Sequence, residues 1–267
     1  MTDKKIRLGL ISALHQEQTG LIEQMHGKHC IRRGMRDYTS GSLWGIDCVC
    51  VLSRIGKVAA ATTAATLIER FNVTHIVFTG VAGSAAQDVH VGDIVLAENL
   101  VQHDMDATPL APRFEVPLTG ISAFASDLDL SILVGQAAAD FLGLDWISVI
   151  ETQDKDEFKL KTPRLHRGLI ASGDEFITSS AKITALKLAL PEVLAVEMEG
   201  AAVAQVCFEF GIPFAVIRTI SDKANENACI DFNSFLERVA QHYAFNIVKR
   251  MCTGLHAKKA FKYVKYD

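Results

Sequence analysis

The chain has 267 residues, 49% of them hydrophobic and 22% charged, with a formal net charge of −4. That is enough apolar material for a sizeable core, and the lack of a basic excess excludes a nucleic-acid surface as its main business. Six cysteines at positions 30, 48, 50, 207, 229 and 252 form neither a CxxC pair nor a secretory framework, which predicts reduced thiols in a cytoplasmic protein.

The N-terminal MTDKKIRLGLISALHQEQ starts basic, but its apolar stretch is short and runs into polar residues. It predicts a first strand, not a signal peptide, and no segment reads as long enough to cross a membrane. Further β-branched runs follow: IDCVCVLS, THIVFTG, DIVLAENLVQ, HRGLIAS and PFAVIRTIS. Helical stretches lie between several of them, at 57–71, 129–142 and 199–210. Such alternation argues for a mostly parallel sheet covered by helices, and the absence of any Pro/Ser-rich linker or repeat predicts one domain over 1–267.

Along the same path several motifs fail their own tests. HGKHC (26–30) and HDMD (103–106) lack a second cluster at metal-ligand spacing, so no metal is expected. RIGKVAA (54–60) has Val58 after its lysine, where a phosphate loop needs Ser or Thr, and lacks the earlier glycine of such a loop. TGVAGSA (79–85) lacks the GxGxxG spacing and leads to another strand, which leaves a loop where backbone approaches a small ligand. Cys48 and Cys50 share a strand face at period two, which suits packing. The charged stretch 151–167 reads as a solvated surface loop or hairpin, and the basic tail from His256 as a cap on the last helix or a fraying end.

Three acidic spots remain, each at a predicted strand end: Glu17, the pair Glu197 and Glu199, and Asp222. One such acid is well explained as a helix cap; three together favour a site, because ligands of α/β sheets sit at strand ends. The two glutamates in VEMEGAAVAQV also stand at the mouth of an apolar helix, where burial is costly without partners.

RIGKVAAATTAATLI, FTGVAGSA, SGDEFI, VEMEGAAVAQVC and AVIRTISDKAN resemble, in that chain order, the signature segments of 5′-methylthioadenosine/S-adenosylhomocysteine nucleosidases, within the nucleoside phosphorylase superfamily. The resemblance implies an α/β fold with a central mixed twisted sheet flanked by helices, no cofactor, and hydrolysis of the N-glycosidic bond with release of adenine. It implies Asp222 as the general acid on the departing purine and Glu17 as the base on the attacking water, with Arg218 near that water. A positioned acid is worth roughly 10²–10⁴ in rate, most of all for an oxocarbenium-like bond break. Glu199 would accept the ribose hydroxyls, so that a ribose satisfies both glutamates, and Met198 would pack beneath the sugar. Phe176 would stack on the purine while the Ile177 backbone reads its edge. Leu14, Ile55 and Phe232 would form an apolar 5′-pocket, and Ala13, Val81, Glu197 and Ser221 would complete the substrate wall.

Phosphorylases of this superfamily need arginines for phosphate. ISALHQEQ offers Glu17 instead, and Arg54 is the one residue left that could serve an anion. Hydrolysis is therefore expected, with a phosphorylase, a related purine-nucleoside or aminodeoxyfutalosine hydrolase, and a non-catalytic nucleoside binder as alternatives. Val81 stands where the family often has a serine that helps hold the water, which shifts that task to Glu17 and Arg218. The resemblance also implies a homodimer whose partner closes the 5′-pocket, and the segment 103–120, with three prolines and Phe114, is expected to pack across the two-fold.

Overall fold

Ten strands are found among the described residues of the computed structural model, which describes residues 6–225 and 232–264, with side chains to residue 257. They are β1 (Arg7–Ser12), β2 (His26–Arg33), β3 (Arg36–Leu43), β4 (Ile46–Leu52), β5 (His75–Ser84), β6 (Ile94–Gln102), β7 (Ala123–Ala125), β8 (Leu165–Ser172), β9 (Val193–Glu197) and β10 (Phe214–Asp222). The main helices are α1 (Lys57–Phe71), α2 (Leu128–Asp140), α3 (Thr152–Glu157), α4 (Ser180–Ala189), α5 (Gly200–Phe210) and α6 (Gln241–Val264).

All ten strands belong to one sheet, ordered β10-β6-β8-β9-β5-β1-β4-β3-β2, with β7 on β6 and a further β10–β5 pairing that closes five strands into a ring. Pairs β1–β4, β1–β5, β5–β10, β6–β8 and β8–β9 are parallel; β2–β3, β3–β4, β5–β9, β6–β7 and β6–β10 are antiparallel. The sheet is thus mixed, as the family resemblance implies, not mostly parallel.

Period-two alternation distributes the core over both faces. Leu8, Leu10, Cys48, Cys50 and Ile217 pack with Leu130, Val134, Tyr243 and Ile247 of α2 and α6. Ile11, Val49, Phe78 and Val216 pack with Ala64, Leu67, Val203 and Cys207 of α1 and α5 on the other. Full burial of each large aliphatic side chain contributes about 1.5–3 kcal/mol. The cysteines are part of this packing: burial pushes the Cys50 and Cys207 thiols up, and such thiols are inert. α1 ends where Asn72 takes the left-handed conformation (φ 51°) and its N–H bonds the Leu67 carbonyl.

Three expectations change. The β2–β3 hairpin escapes sequence reading because β2 is exposed along nearly its whole length; HGKHC is part of this edge strand. Its cations, Lys28, Arg32 and Arg33, discourage pairing with another chain. The stretch 151–167 is loop only over 158–164: α3 forms at its start, where Arg238 pairs with Asp154, which is buried, and with Glu157 at 2.7 Å, and β8 begins at its end. The helical run Leu128–Val149 is, by length and composition, apolar enough to cross a membrane. Its residues Leu130, Val134, Ala137, Ala138 and Phe141 are instead buried in the core with α6, so it is read as a core helix. The tail continues α6 to Val264; Cys229, residues 230–231 of IDFNSF and the tail side chains beyond 257 lie outside the described residues.

Candidate active site

Four strand ends converge on one cavity of about 460 Å³. Register explains the convergence: Gly83 of β5 pairs with Val196 of β9 on one side and with Asp222 of β10 on the other. A bulge between Ile220 and Asp222 re-aims the end of β10 there. TGVAGSA is therefore not a loop but the end of β5, and its glycines admit side chains. A Cβ on Gly83 would lie 2.9 Å from Asp222 Oδ1 and 2.8 Å from the Ala224 Cβ.

Glu17 sits in a single helical turn (His15–Gln18) after β1 and is buried. The turn is pinned by Gln18, whose Nε2 donates to the Leu10 and Val51 carbonyls at 3.2 and 3.0 Å. Glu17 Oε2 accepts the Ala13 and Leu14 N–H groups at 2.8 and 2.9 Å, and Oε1 accepts the Val81 N–H at 3.0 Å. Burial nevertheless outweighs these bonds and raises its pKa.

Asp222, at the end of β10, accepts the Ser221 hydroxyl and the Ala224 N–H, both at 2.7 Å, while burial pushes its carboxyl above the usual range. Glu199, just before α5, accepts the Gly56 N–H at 2.8 Å. Burial, then the neighbouring negative charge of Glu197, pushes it up to about 8.

Glu197 differs from the other acids. Arg218 donates to its Oε2 from Nη2 at 2.6 Å and Nε at 3.2 Å; the Ser172 hydroxyl and the Gly200 N–H, at 2.8 Å, complete its shell. Glu197 lines the cavity, but the protein already satisfies it, so the expectation that a ribose satisfies both glutamates is corrected: only Glu199 has capacity left. Arg218 is corrected too. It is 2% exposed, lies with its guanidinium 4.0 Å over the Phe78 ring, and gives Nη1 to the Phe78 and Ile217 carbonyls. It stands behind the cavity wall and acts on it through Glu197 and through its charge near Glu17.

Every other predicted residue lines the cavity: Ala13, Leu14, Glu17, Ile55, Val81, Phe176, Ile177, Glu197, Met198, Glu199, Ser221, Asp222 and Phe232. Phe176 and Phe232 meet edge to face at 5.6 Å, leaving Phe176 half-exposed. Sequence reading missed Gly56 and Ser172, although RIGK placed a flexible glycine directly before a helix. Arg54 turns away: its Nη2 donates to the Met35 carbonyl at 2.8 Å. Among the described residues no arginine lines the cavity. An acid able to protonate a leaving group, a carboxylate fixed by three N–H groups and a third acid with free acceptor capacity can cleave a bond by acid–base hydrolysis.

A family model described as the phosphorylase superfamily matches residues 7–253. The chain is 34% identical over 244 residues to a 5′-methylthioadenosine/S-adenosylhomocysteine nucleosidase of Shewanella frigidimarina, covering 91% of this chain and 97% of that protein. Among solved structures it is similar to the nucleosidase of the same description from Neisseria meningitidis, in complex with methylthio-immucillin-A. That likeness has a TM-score of 0.82 and 34% identity, over 93% of this chain and 99% of the other. It is also similar to futalosine hydrolase of Helicobacter pylori, with TM-score 0.77 and 32% identity over 92% and 97% of the two chains.

Proposed function

We propose that this chain, which belongs to the 5′-methylthioadenosine/S-adenosylhomocysteine nucleosidase family of the phosphorylase superfamily, hydrolyses the N-glycosidic bond of 5′-substituted adenine nucleosides and releases adenine. The observation that carries the reading is Asp222, buried at the end of β10 with its pKa raised, on a cavity that no arginine lines among the described residues. Asp222 protonates the departing purine. Glu17, held by three backbone N–H groups, orients and deprotonates the attacking water. Arg218 holds Glu197, so that task rests on Glu17, and Val81 contributes its N–H to Glu17 in place of a hydroxyl to the water.

Glu199 accepts the ribose hydroxyls, whose donors favour its charged form as positive charge develops on the sugar. Phe176 stacks on the purine and the Ile177 backbone reads its edge. Met198 packs under the sugar, and Leu14, Ile55 and Phe232 receive the thioalkyl group. The chain works as one nucleosidase domain over 1–267, in the cytoplasm, as a homodimer. Leu110 and Leu118, almost wholly exposed on the one segment 103–120, support the dimer.

A second reading, a futalosine-type substrate, is favoured by the likeness to the Helicobacter hydrolase. Adenine release from methylthioadenosine, adenosylhomocysteine, adenosine and aminodeoxyfutalosine, each with and without phosphate, tests both. The thioether nucleosides should be cut fastest. Exclusive turnover of aminodeoxyfutalosine would shift the substrate, and absence of adenine release from every nucleoside would overturn the function.

A further inference from the structure

We infer that Lys57 is a positioning residue that locks the purine side of the cavity to its ribose side. Lys57 is the first residue of α1, and it makes two kinds of contact. Its ammonium donates to Asp104 Oδ1 at 2.6 Å and to Gln102 Oε1 at 3.1 Å, at the end of β6. Its backbone N–H donates to Asp174 Oδ1 at 2.7 Å, in the turn after β8. The two acids are themselves linked, because Asp104 Oδ2 accepts the Asp174 N–H at 2.9 Å. Gln102 Nε2 extends the network to Gln205 of α5 at 2.6 Å. One largely buried cation therefore ties three segments together.

Each segment continues directly into the site. Gly56, the neighbour of Lys57, gives its N–H to Glu199. Asp174 precedes Glu175, Phe176 and Ile177, which line the cavity. The turn has little slack on its other side, since a Cβ on Gly173 would come within 2.3 Å of His103 Nε2. Charge-assisted bonds of this kind are the strong ones, and they fix direction as well as distance. Without the ammonium, Asp104 and Asp174 would be left as adjacent like charges. The turn carrying Phe176 would part from α1, and the Gly56 N–H would lose its aim on Glu199.

The inference rests on the proposed nucleosidase activity, and its test separates the two. Lys57→Met keeps the aliphatic stem and removes the charge; Lys57→Arg keeps the charge. The readouts are adenine affinity by calorimetry, kcat and KM with methylthioadenosine, and melting temperature. Misplacing a catalytic group by an ångström costs up to about 100-fold, so Lys57→Met should weaken adenine binding and lower kcat by about tenfold each. Lys57→Arg should restore most of both, and Asp104→Asn should add little to Lys57→Met because the two share one interaction. A lysine that merely stabilised the fold would lower the melting temperature and leave adenine affinity and kcat of the folded enzyme unchanged; that result overturns the inference. Should Lys57→Met not fold, Asp104→Asn in the wild-type background is expected to show the same paired loss, and normal values there overturn it equally. If the wild-type chain released no adenine, the functional reading would fall while the adenine titration still reported on Lys57.

Discussion

Glu17 and Arg218 meet across Gly80: a Cβ on that glycine would lie 2.9 Å from Glu17 Oε1 and 3.2 Å from Arg218 Nη1. The glycine is there to let a fixed carboxylate and a fixed guanidinium approach one strand. Gly80→Ala should therefore displace Glu17 and lower kcat by about 100-fold with the fold retained, the scale expected for a misplaced catalytic group. Steady-state kinetics beside circular dichroism would check this, and a folded, fully active alanine variant would contradict it.

Asp222→Asn keeps the shape that accepts the Ala224 N–H but has no proton to give. Turnover should fall by roughly 10²–10⁴, while affinity for an unreactive nucleoside analogue changes little. In the wild-type enzyme, activity should decline as pH rises past the elevated pKa of this group, and comparison of the two pH–rate profiles tests the assignment.

Glu199 makes stability depend on pH in an unusual direction. Burial and the charge of Glu197 push its carboxyl up from about 4.5, the ordinary value, to about 8. Between those values the folded chain keeps a proton that the unfolded chain has lost. Stability is therefore highest below the window and falls as pH rises through it, with a limiting slope of about 1.4 kcal/mol per pH unit. Glu17 and Asp222 shift the same way. Denaturant midpoints across this range should drop with pH, and Glu199→Gln should flatten the curve; identical slopes would remove Glu199 as the cause.

The acids at strand ends were legible in the sequence because chain order and polarity both survive in it. The runs at 6–12, 194–196 and 213–221 alternate or run apolar, and the acid that follows each stands out. What the acids bond to was not legible. Glu197 and Glu199 are near-identical in sequence context, yet one is neutralised by Arg218, twenty-one residues away along the chain, while the other only accepts the backbone N–H of Gly56, just before α1. Only the pairing of β9, β5 and β10 decides which is which. The β2–β3 hairpin was hidden because an edge strand in water needs no hydrophobic alternation, and α3 because its charges are matched by Arg238 from a distant segment.

The segment 103–120 leaves Leu110 and Leu118 almost wholly exposed in the single chain, while Phe114 is half-buried under Arg113. We expect it at a two-fold interface. Light scattering at micromolar concentration should give a dimer, and Leu110→Asp with Leu118→Asp should shift it towards monomer and raise KM for the thioether nucleosides. A fully active monomer would contradict both the interface and the closure of the 5′-pocket by a partner.

In the proposed reaction water, not phosphate, is the attacking group. Turnover of methylthioadenosine in heavy-oxygen water with excess inorganic phosphate present, followed by mass spectrometry of the sugar, addresses it directly. Glu17 at the attacking side and a cavity that no arginine lines among the described residues predict free methylthioribose carrying the heavy label at its anomeric carbon, and no sugar phosphate. Methylthioribose 1-phosphate as the product, formed in proportion to phosphate, would contradict it.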